Sequence, residues 1–254
     1  MPVATVLIPT HNHVETLRYS VASVLGQTLA DFELFVVGDG IGEATRAIVG
    51  ELAAGDRRLR LFDFPKGERK GERLRHEALK EAKGRIVAYL GDDDLWMPDH
   101  LKTLDTLLRE VDFANTTHIG LNEKGRMFWL ASDLANPAFR ARMLSDPPFN
   151  TFDMTFGGHT LVAYRRLKVG WSPPPPPCPA DLFLWRQFLA EPWCRVRSVM
   201  IATGICTHTH LRPNMTDRQR AEELARLAAD LSQPGIWQAV VRRVTAMPVG
   251  VGVK

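Results

Sequence analysis

An α/β fold, with a mostly parallel central sheet flanked by helices, is what three features of the chain predict. Apolar runs alternate with stretches of helical spacing through the first 110 or so residues. The runs Val3–Ile8, Phe32–Val37 and Arg85–Leu90 are apolar on both faces, as strands of a parallel sheet covered on each side should be. Each of these runs stops at a polar or glycine-containing segment: Thr10-His11-Asn12, Gly38-Asp39-Gly40 and Gly91 to Asp94. Ligands of open parallel sheets bind beyond the carboxyl ends of the strands. The three segments are therefore expected to converge on one edge and form a pocket.

The elements follow in order. Val3 to Ile8 is a buried strand expected to end at Pro9, and residues 13–27 carry Val14, Leu17, Val21, Val24 and Leu25 at helical spacing. A second strand covers Phe32–Val37, a helix Glu43–Ala53, and a short third strand Leu59–Phe62. A helix near residues 70–82 leads to the fourth strand. Pro98 fits the first turn of a helix reaching about Arg109. The second half is less regular. Val111–Thr117 and Met127–Leu130 read as a hairpin around Asn122-Glu123-Lys124-Gly125, and Thr160–Tyr164 and Val196–Ile201 as further strands. Five prolines, Pro173 to Pro177, form a stiff extended loop, and Asp217–Ala229 is a helix that Thr216 can cap.

Composition sets the outer bounds. The chain has 254 residues, 45% hydrophobic and 24% charged, enough for one sizeable domain with its own core. A net charge of +3 does not call for a nucleic-acid partner. Local basic clusters (Lys66, Arg69, Lys70, Arg73 and Arg75; Arg140, Arg142, Arg165, Arg166 and Lys168) suit an anionic small molecule equally well. Three cysteines without a CxxC pair argue against a disulfide framework or zinc site. The N-terminus lacks the layout of a secretory signal, and no stretch reaches the ~18 apolar residues of a membrane helix. A cytoplasmic soluble protein is expected.

The segment YLGDDDLW places three consecutive carboxylates, Asp92, Asp93 and Asp94, at the end of a strand and directly before Leu95 and Trp96. Three adjacent like charges need water, a basic neighbour or a cation to offset them. Carboxylates at a strand end suit a hard cation such as Mg²⁺ or Mn²⁺, which takes one or two of them and completes its shell with water and phosphate oxygens.

Two long segments, VLIPTHNHVETLRYSVASVLGQTLADFELFVVGDG and GERLRHEALKEAKGRIVAYLGDDDLWMPDHL, resemble the inverting family 2 glycosyltransferases of the GT-A (nucleotide-diphospho-sugar transferase) fold. The resemblance covers about residues 3–104 and implies a metal-dependent glycosyltransferase of the hexosyltransferase type. Its partners would be a nucleotide-diphosphate sugar donor and a saccharide or lipid-linked acceptor, with peripheral membrane contact allowed. It divides one GT-A domain into a nucleotide-sugar half at 1–110, an irregular acceptor-side and catalytic-base half at 111–215, and a C-terminal helical segment at 216–254.

By position, Pro9, Thr10 and Asn12 would line the nucleoside, Asp39 would meet it through its carboxylate, and Arg75 would face the diphosphate. His11, Gly38 and His76 stand where the family usually has tyrosine, aspartate and asparagine. Gly91 occupies the place of the first aspartate of the metal motif, leaving Asp94 as the expected metal ligand with Asp92 in support. Asp92 or Asp93 would reach the donor. The segment CPADLFLWRQF resembles the family's base-bearing helix start, so Asp181 would take the acceptor's proton, with Ala180 where a glutamate is usual. Asp181 also suits a helix cap. THTHLRPNMT resembles a C-terminal segment from which His208 or His210 would approach the metal or diphosphate, His210 being the expected ligand. The glycines of Phe156-Gly157-Gly158-His159-Thr160 would admit the backbone to the sugar. Two other readings stay open: a non-catalytic or degenerate nucleotide-sugar-binding protein, and a nucleotidyltransferase. The latter usually shows a glycine-rich phosphate loop after its first strand, where this chain has Pro9-Thr10-His11-Asn12-His13.

Overall fold

The computed structural model describes residues 1–207, 210, 212–233 and 235–245. Four parallel strands form one half of the sheet: β1 (Ala4–Thr10), β2 (Phe32–Asp39), β3 (Leu59–Phe64) and β4 (Ile86–Tyr89). The short β5 (Leu95–Trp96), the long β6 (Phe113–Leu121), β7 (Met127–Trp129), β8 (Gly157–Thr160) and β9 (Val196–Cys206) complete it. The strand order is β3-β2-β1-β4-β8-β6-β9-β5, with β7 paired to β6. β8 is antiparallel to both neighbours, β6 and β9 run parallel to each other, and β5 closes the far edge antiparallel to β9.

Strand residues sort cleanly onto the two faces. Leu7, Phe35, Val37, Val87 and Tyr89 enter one apolar cluster; Val6, Ile8, Leu34, Val36 and Ala88 enter another. This is the period-two alternation of strand side chains, with both faces buried. On the first face lie α3 (Glu72–Lys80), α6 (Leu161–Arg166) and α7 (Ala180–Ala190), through Ala78, Leu79, Tyr164, Leu182, Trp185 and Phe188. On the second lie α1 (Val14–Leu25), α2 (Glu43–Gly55) and α4 (His100–Leu107), through Leu17, Val21, Val24, Val49, Leu101 and Leu104. A third cluster joins β5 and the distal part of β6 and β9 to α8 (Asp217–Leu231) and α9 (Ile236–Thr245). α5 (Pro137–Leu144) packs beside α7. Thr216 caps α8 in a reciprocal capping box with Gln219. No described helix is long and apolar enough to cross a membrane.

Several expectations are corrected. β1 continues through Pro9 to Thr10, because β4 pairs with β1 only as far as Leu7, and the proline meets a partner strand on one side alone. Thr160–Tyr164 is not a strand. β8 stops at Thr160, whose side chain accepts the Ala163 N–H and caps α6. Leu161, Ala163 and Tyr164 are then buried while Val162 is exposed, a helical pattern that a short apolar run conceals. β9 extends five residues past Ile201, with irregular register against β6. Helix α4 begins two residues after Pro98.

Candidate active site

The carboxyl ends of β1, β2 and β4 lie side by side, and the predicted residues gather there. Asp39, 7% exposed at the end of β2, receives Gly67 N–H on Oδ1 and Lys66 Nζ on Oδ2, both at 2.6 Å. Its main-chain oxygen bonds His11 Nδ1 at 2.6 Å. The loop carrying Lys66 wraps tightly around it. Gly71, at φ 69°, would place a Cβ 3.0 Å from the Asp39 carboxylate, so this turn demands glycine both for conformation and for room. Thr10 is buried, and its hydroxyl finds no hydrogen-bond partner among the described residues, whereas Pro9 is half-buried and Asn12 exposed.

Arg75, on α3, is 7% exposed. It donates from one terminal nitrogen to Lys70 O at 2.8 Å and lies over the Trp171 ring, 4.8 Å from the centroid. Its Nε has no partner among the described residues. Burial lowers its pKa; the negative groups Glu72, Asp181 and Asp39 partly compensate. A buried guanidinium with a spare donor is an anion site in waiting. His76, next to it, instead bonds Tyr164 Oη at 2.9 Å and belongs to the packing of that face.

The three aspartates divide. Asp92 pairs with His13 Nδ1 at 2.8 Å, and this hydrogen bond, against burial, raises the histidine's pKa to about 9. Asp94 turns the other way. Thr155 Oγ1 donates to its Oδ2 at 2.7 Å, Thr207 N–H donates to its Oδ1 at 3.0 Å, and Ser20 Oγ donates to its main-chain oxygen. Thr207 Oγ1 also donates to the main-chain oxygen of Asp93. A Cβ built on Gly91 would lie 2.9 Å from Asp94 Oδ2, so the Asp94 carboxylate fills the space that a side chain at position 91 would need. Trp96, immediately after, donates its indole N–H to Thr155 O at 2.9 Å and locks the same turn.

Ligand-type groups accordingly fall into two sets, His13 with Asp92 and Asp93, and Asp94 with Asp153 and Cys206, the ligand atoms of each set lying within 4.8 Å of one another. Burial, together with the charges of Asp93 and Asp153, holds the Asp94 carboxyl well above the usual carboxylate range, and burial raises Asp153 too. Carboxylate pairs with this penalty invite a cation. His210 is exposed and belongs to neither set; His208 lies outside the described residues.

Asp181 occupies the first turn of α7, two residues after the N-cap position Pro179, so it is not itself the cap. Its Oδ1 receives Leu182 N–H at 2.8 Å and its Oδ2 receives Asn150 Nδ2 at 3.1 Å. Burial, then the negative charge of Asp153, lifts its pKa to about 6, with Arg75 opposing. A carboxylate poised there is ionised at neutral pH yet basic enough to take a proton.

Sequence reasoning missed Asp153 and Thr155, and Lys66, read only as part of a basic cluster, is paired with Asp39. Asp153 caps a single 3-10 turn (Met154–Phe156) ahead of β8, and only the topology brings it to the end of β4. The reading of Gly157 and Gly158 is corrected. Both lie inside the sheet, where a Cβ would meet the Trp185 ring at 2.6 Å and Leu104 at 2.9 Å, so they admit core side chains rather than a ligand. His159 is fully buried and bonds Tyr89 Oη at 2.7 Å.

Comparison with known proteins fits this arrangement. A UDP-Glc:alpha-D-GlcNAc-diphosphoundecaprenol beta-1,3-glucosyltransferase of Escherichia coli is 36% identical over 100 residues, which is 39% of this chain and 38% of that enzyme. The chain thus aligns with well under half of that relative. Among solved structures, S. aureus TarS 1–349 in complex with UDP-GlcNAc superposes with a TM-score of 0.64 at 20% identity, covering 90% of this chain and 66% of that one. The Pyrobaculum calidifontis mannosyltransferase PcManGT in complex with GDP-Man and Mn²⁺ gives 0.58 at 18% identity, covering 95% and 68%. These likenesses show a GT-A-type fold. The model of glycosyl transferase family 2 matches residues 5–165, from β1 through the acidic turn to α6, and the chain belongs to that family.

Proposed function

We infer that the chain is a metal-dependent glycosyltransferase that moves a sugar from a nucleotide-diphosphate donor to an acceptor hydroxyl with inversion. The observation that carries this is a pair of buried, oppositely charged groups that act on each other: Arg75, whose Nε has no partner among the described residues, and Asp181, whose pKa is raised to about 6. Arg75 would bind the diphosphate, and Thr10 and Asp39 the nucleoside, with Pro9 and Asn12 beside them. Asp181 would accept the acceptor's hydroxyl proton as that oxygen bonds to the anomeric carbon and the bond from that carbon to the diphosphate oxygen breaks. Displacement from the face opposite the leaving group inverts the centre.

The donor set fits a divalent cation. Asp94 would hold it with Asp153 close by, while Asp92, tied to His13, and Asp93 are left to the donor side. Mg²⁺ or Mn²⁺ there would neutralise charge on the departing diphosphate. The named specificity of the E. coli relative and the Mn²⁺ complex of the archaeal neighbour support this class of chemistry. By the same analogy, a saccharide or polyprenyl-diphosphate-linked acceptor met at the cytoplasmic membrane surface is the reading we favour. Residues 1–110 would serve the donor, 111–215 the acceptor and base, and the part of 216–254 that the structure describes is helical.

The test is a thermal-shift screen of UDP-glucose, UDP-N-acetylglucosamine and GDP-mannose, with and without Mn²⁺, on the wild type and Arg75→Ala. Binding to the folded state raises the melting temperature. A metal-enhanced shift lost in the variant is expected; no shift with any donor would overturn the reading. A metal-enhanced shift without any turnover would favour the non-catalytic binding module, for which Gly38, Gly91 and Ala180 speak.

A further inference from the structure

We propose that Asn150 is the positioning residue of the site, a side chain whose amide fixes the Asp181 carboxylate in one orientation and keeps it charged. The inference rests on the reading of Asp181 as the base and adds a partner for it. Position 180, where the resembled family usually has a glutamate, is alanine, so the residue before Asp181 supplies no polar side chain.

The geometry is specific. Asn150 Nδ2 donates to Asp181 Oδ2 at 3.1 Å, while Asn150 Oδ1 accepts Phe152 N–H at 3.4 Å. The second bond decides the first: with the oxygen turned to a backbone N–H, the amide nitrogen must face the carboxylate. Leu182 N–H holds Oδ1, so with Asn150 on Oδ2 both carboxylate oxygens are oriented by donors.

The segment that presents Asn150 is bolted to the same helix that carries Asp181. Arg186, one turn further along α7, donates from Nε to Met143 O at 2.7 Å, and its terminal nitrogens reach Ser145 O and Asp146. Phe152 is 2% exposed and stacks on Trp185 of α7 with ring centroids 6.0 Å apart. On the other side of Asn150, Phe149 packs edge-on against Phe139 and beneath Arg142. The segment carrying Asn150 is thus packed onto the helix of Asp181, and a neutral donor held there stabilises the ionised carboxylate without adding a countercharge that would make it a poor base. The charged and titratable groups facing Asp181 are Arg75 from α3, Asp153 from the turn before β8, and Cys178 from the loop before α7.

The test reads Asp181 directly, so it needs neither donor nor acceptor. The side-chain carboxyl ¹³C resonance of Asp181, assigned through Asp181→Asn, is titrated in metal-free wild type, Asn150→Ala and Asn150→Ser, with melting curves confirming the fold. Removing a donor to the charged form must raise the midpoint. Asn150→Ala is expected to shift it upward by about one unit, and Asn150→Ser, which keeps a short donor, by less. If Asn150→Ala alters the fold, Asn150→Ser carries the comparison. An unchanged midpoint in folded Asn150→Ser and Asn150→Ala overturns the proposal. Transfer retained by Asp181→Asn would instead overturn the base assignment, so the two failures are told apart.

Discussion

Replacing Asp181 by asparagine should make the protein more stable at alkaline pH while abolishing transfer. The folded-state pKa is about 6 against a reference of 3.8, a gap of about two units. Each unit is worth about 1.4 kcal/mol, so the ionised carboxylate costs the fold roughly 3 kcal/mol above pH 6. The sign follows from proton binding. Between pH 3.8 and 6 the folded state holds the proton more tightly than the unfolded state, so stability attached to this group falls as pH rises across that window. Asparagine removes the titration and forfeits one good hydrogen bond, for the amide nitrogen then faces Asn150, at about 1 kcal/mol. The net gain should be about 2 kcal/mol near pH 8 and close to zero near pH 4.5. Urea unfolding of the two proteins at both pH values measures the difference. A stability change that is the same at the two pH values would refute the placement of Asp181 in a desolvated cleft.

Other perturbations test other parts of the site. Arg75→Ala should weaken UDP binding in the presence of Mn²⁺ at least about tenfold by calorimetry. Gly91→Asp, which restores the usual family residue, should lower Mn²⁺ affinity in a paramagnetic titration, because its Cβ would collide with the Asp94 carboxylate. An increase in affinity would show that the vacancy at 91 is not already filled. Gly157→Ala should cost about 1–3 kcal/mol in urea unfolding through its clash with Trp185; a neutral result would mean that the strand gives way easily.

The N-terminal half was legible because its signals are local and repeated. Buried strands of a parallel sheet are nearly continuous apolar runs, and their polar ends name the ligand edge without further knowledge of the fold. Asp39 and the acidic triplet sit where that rule puts them, whereas Arg75, on α3, was named only through the family resemblance. The second half resisted for physical reasons. Asp153 and Thr155 become part of the site only through an antiparallel strand inserted beside β4, a pairing between residues some 70 apart in the chain that no periodicity records. Thr160–Tyr164 carries an apolar run too short to separate strand from helix, and the decisive feature was the hydroxyl cap of Thr160. Gly157 and Gly158 looked like a ligand approach; whether glycine yields to a ligand or to an indole depends on what packs across from it. Among the three aspartates, the split between Asp92 with His13 and Asp94 with Thr155 and Thr207 depends on groups at the start of α1, in the 3-10 turn before β8 and just after β9.

The most direct measurement is the anomeric configuration of the product. With Mn²⁺ present, turnover of UDP-glucose, UDP-N-acetylglucosamine and GDP-mannose, transferred to a saccharide or to water, can be followed by ¹H NMR of the anomeric proton. An α-linked donor sugar should appear first as the β product with the wild-type protein and not at all with Asp181→Asn. An α product, or equal turnover by the variant, would contradict direct displacement assisted by Asp181.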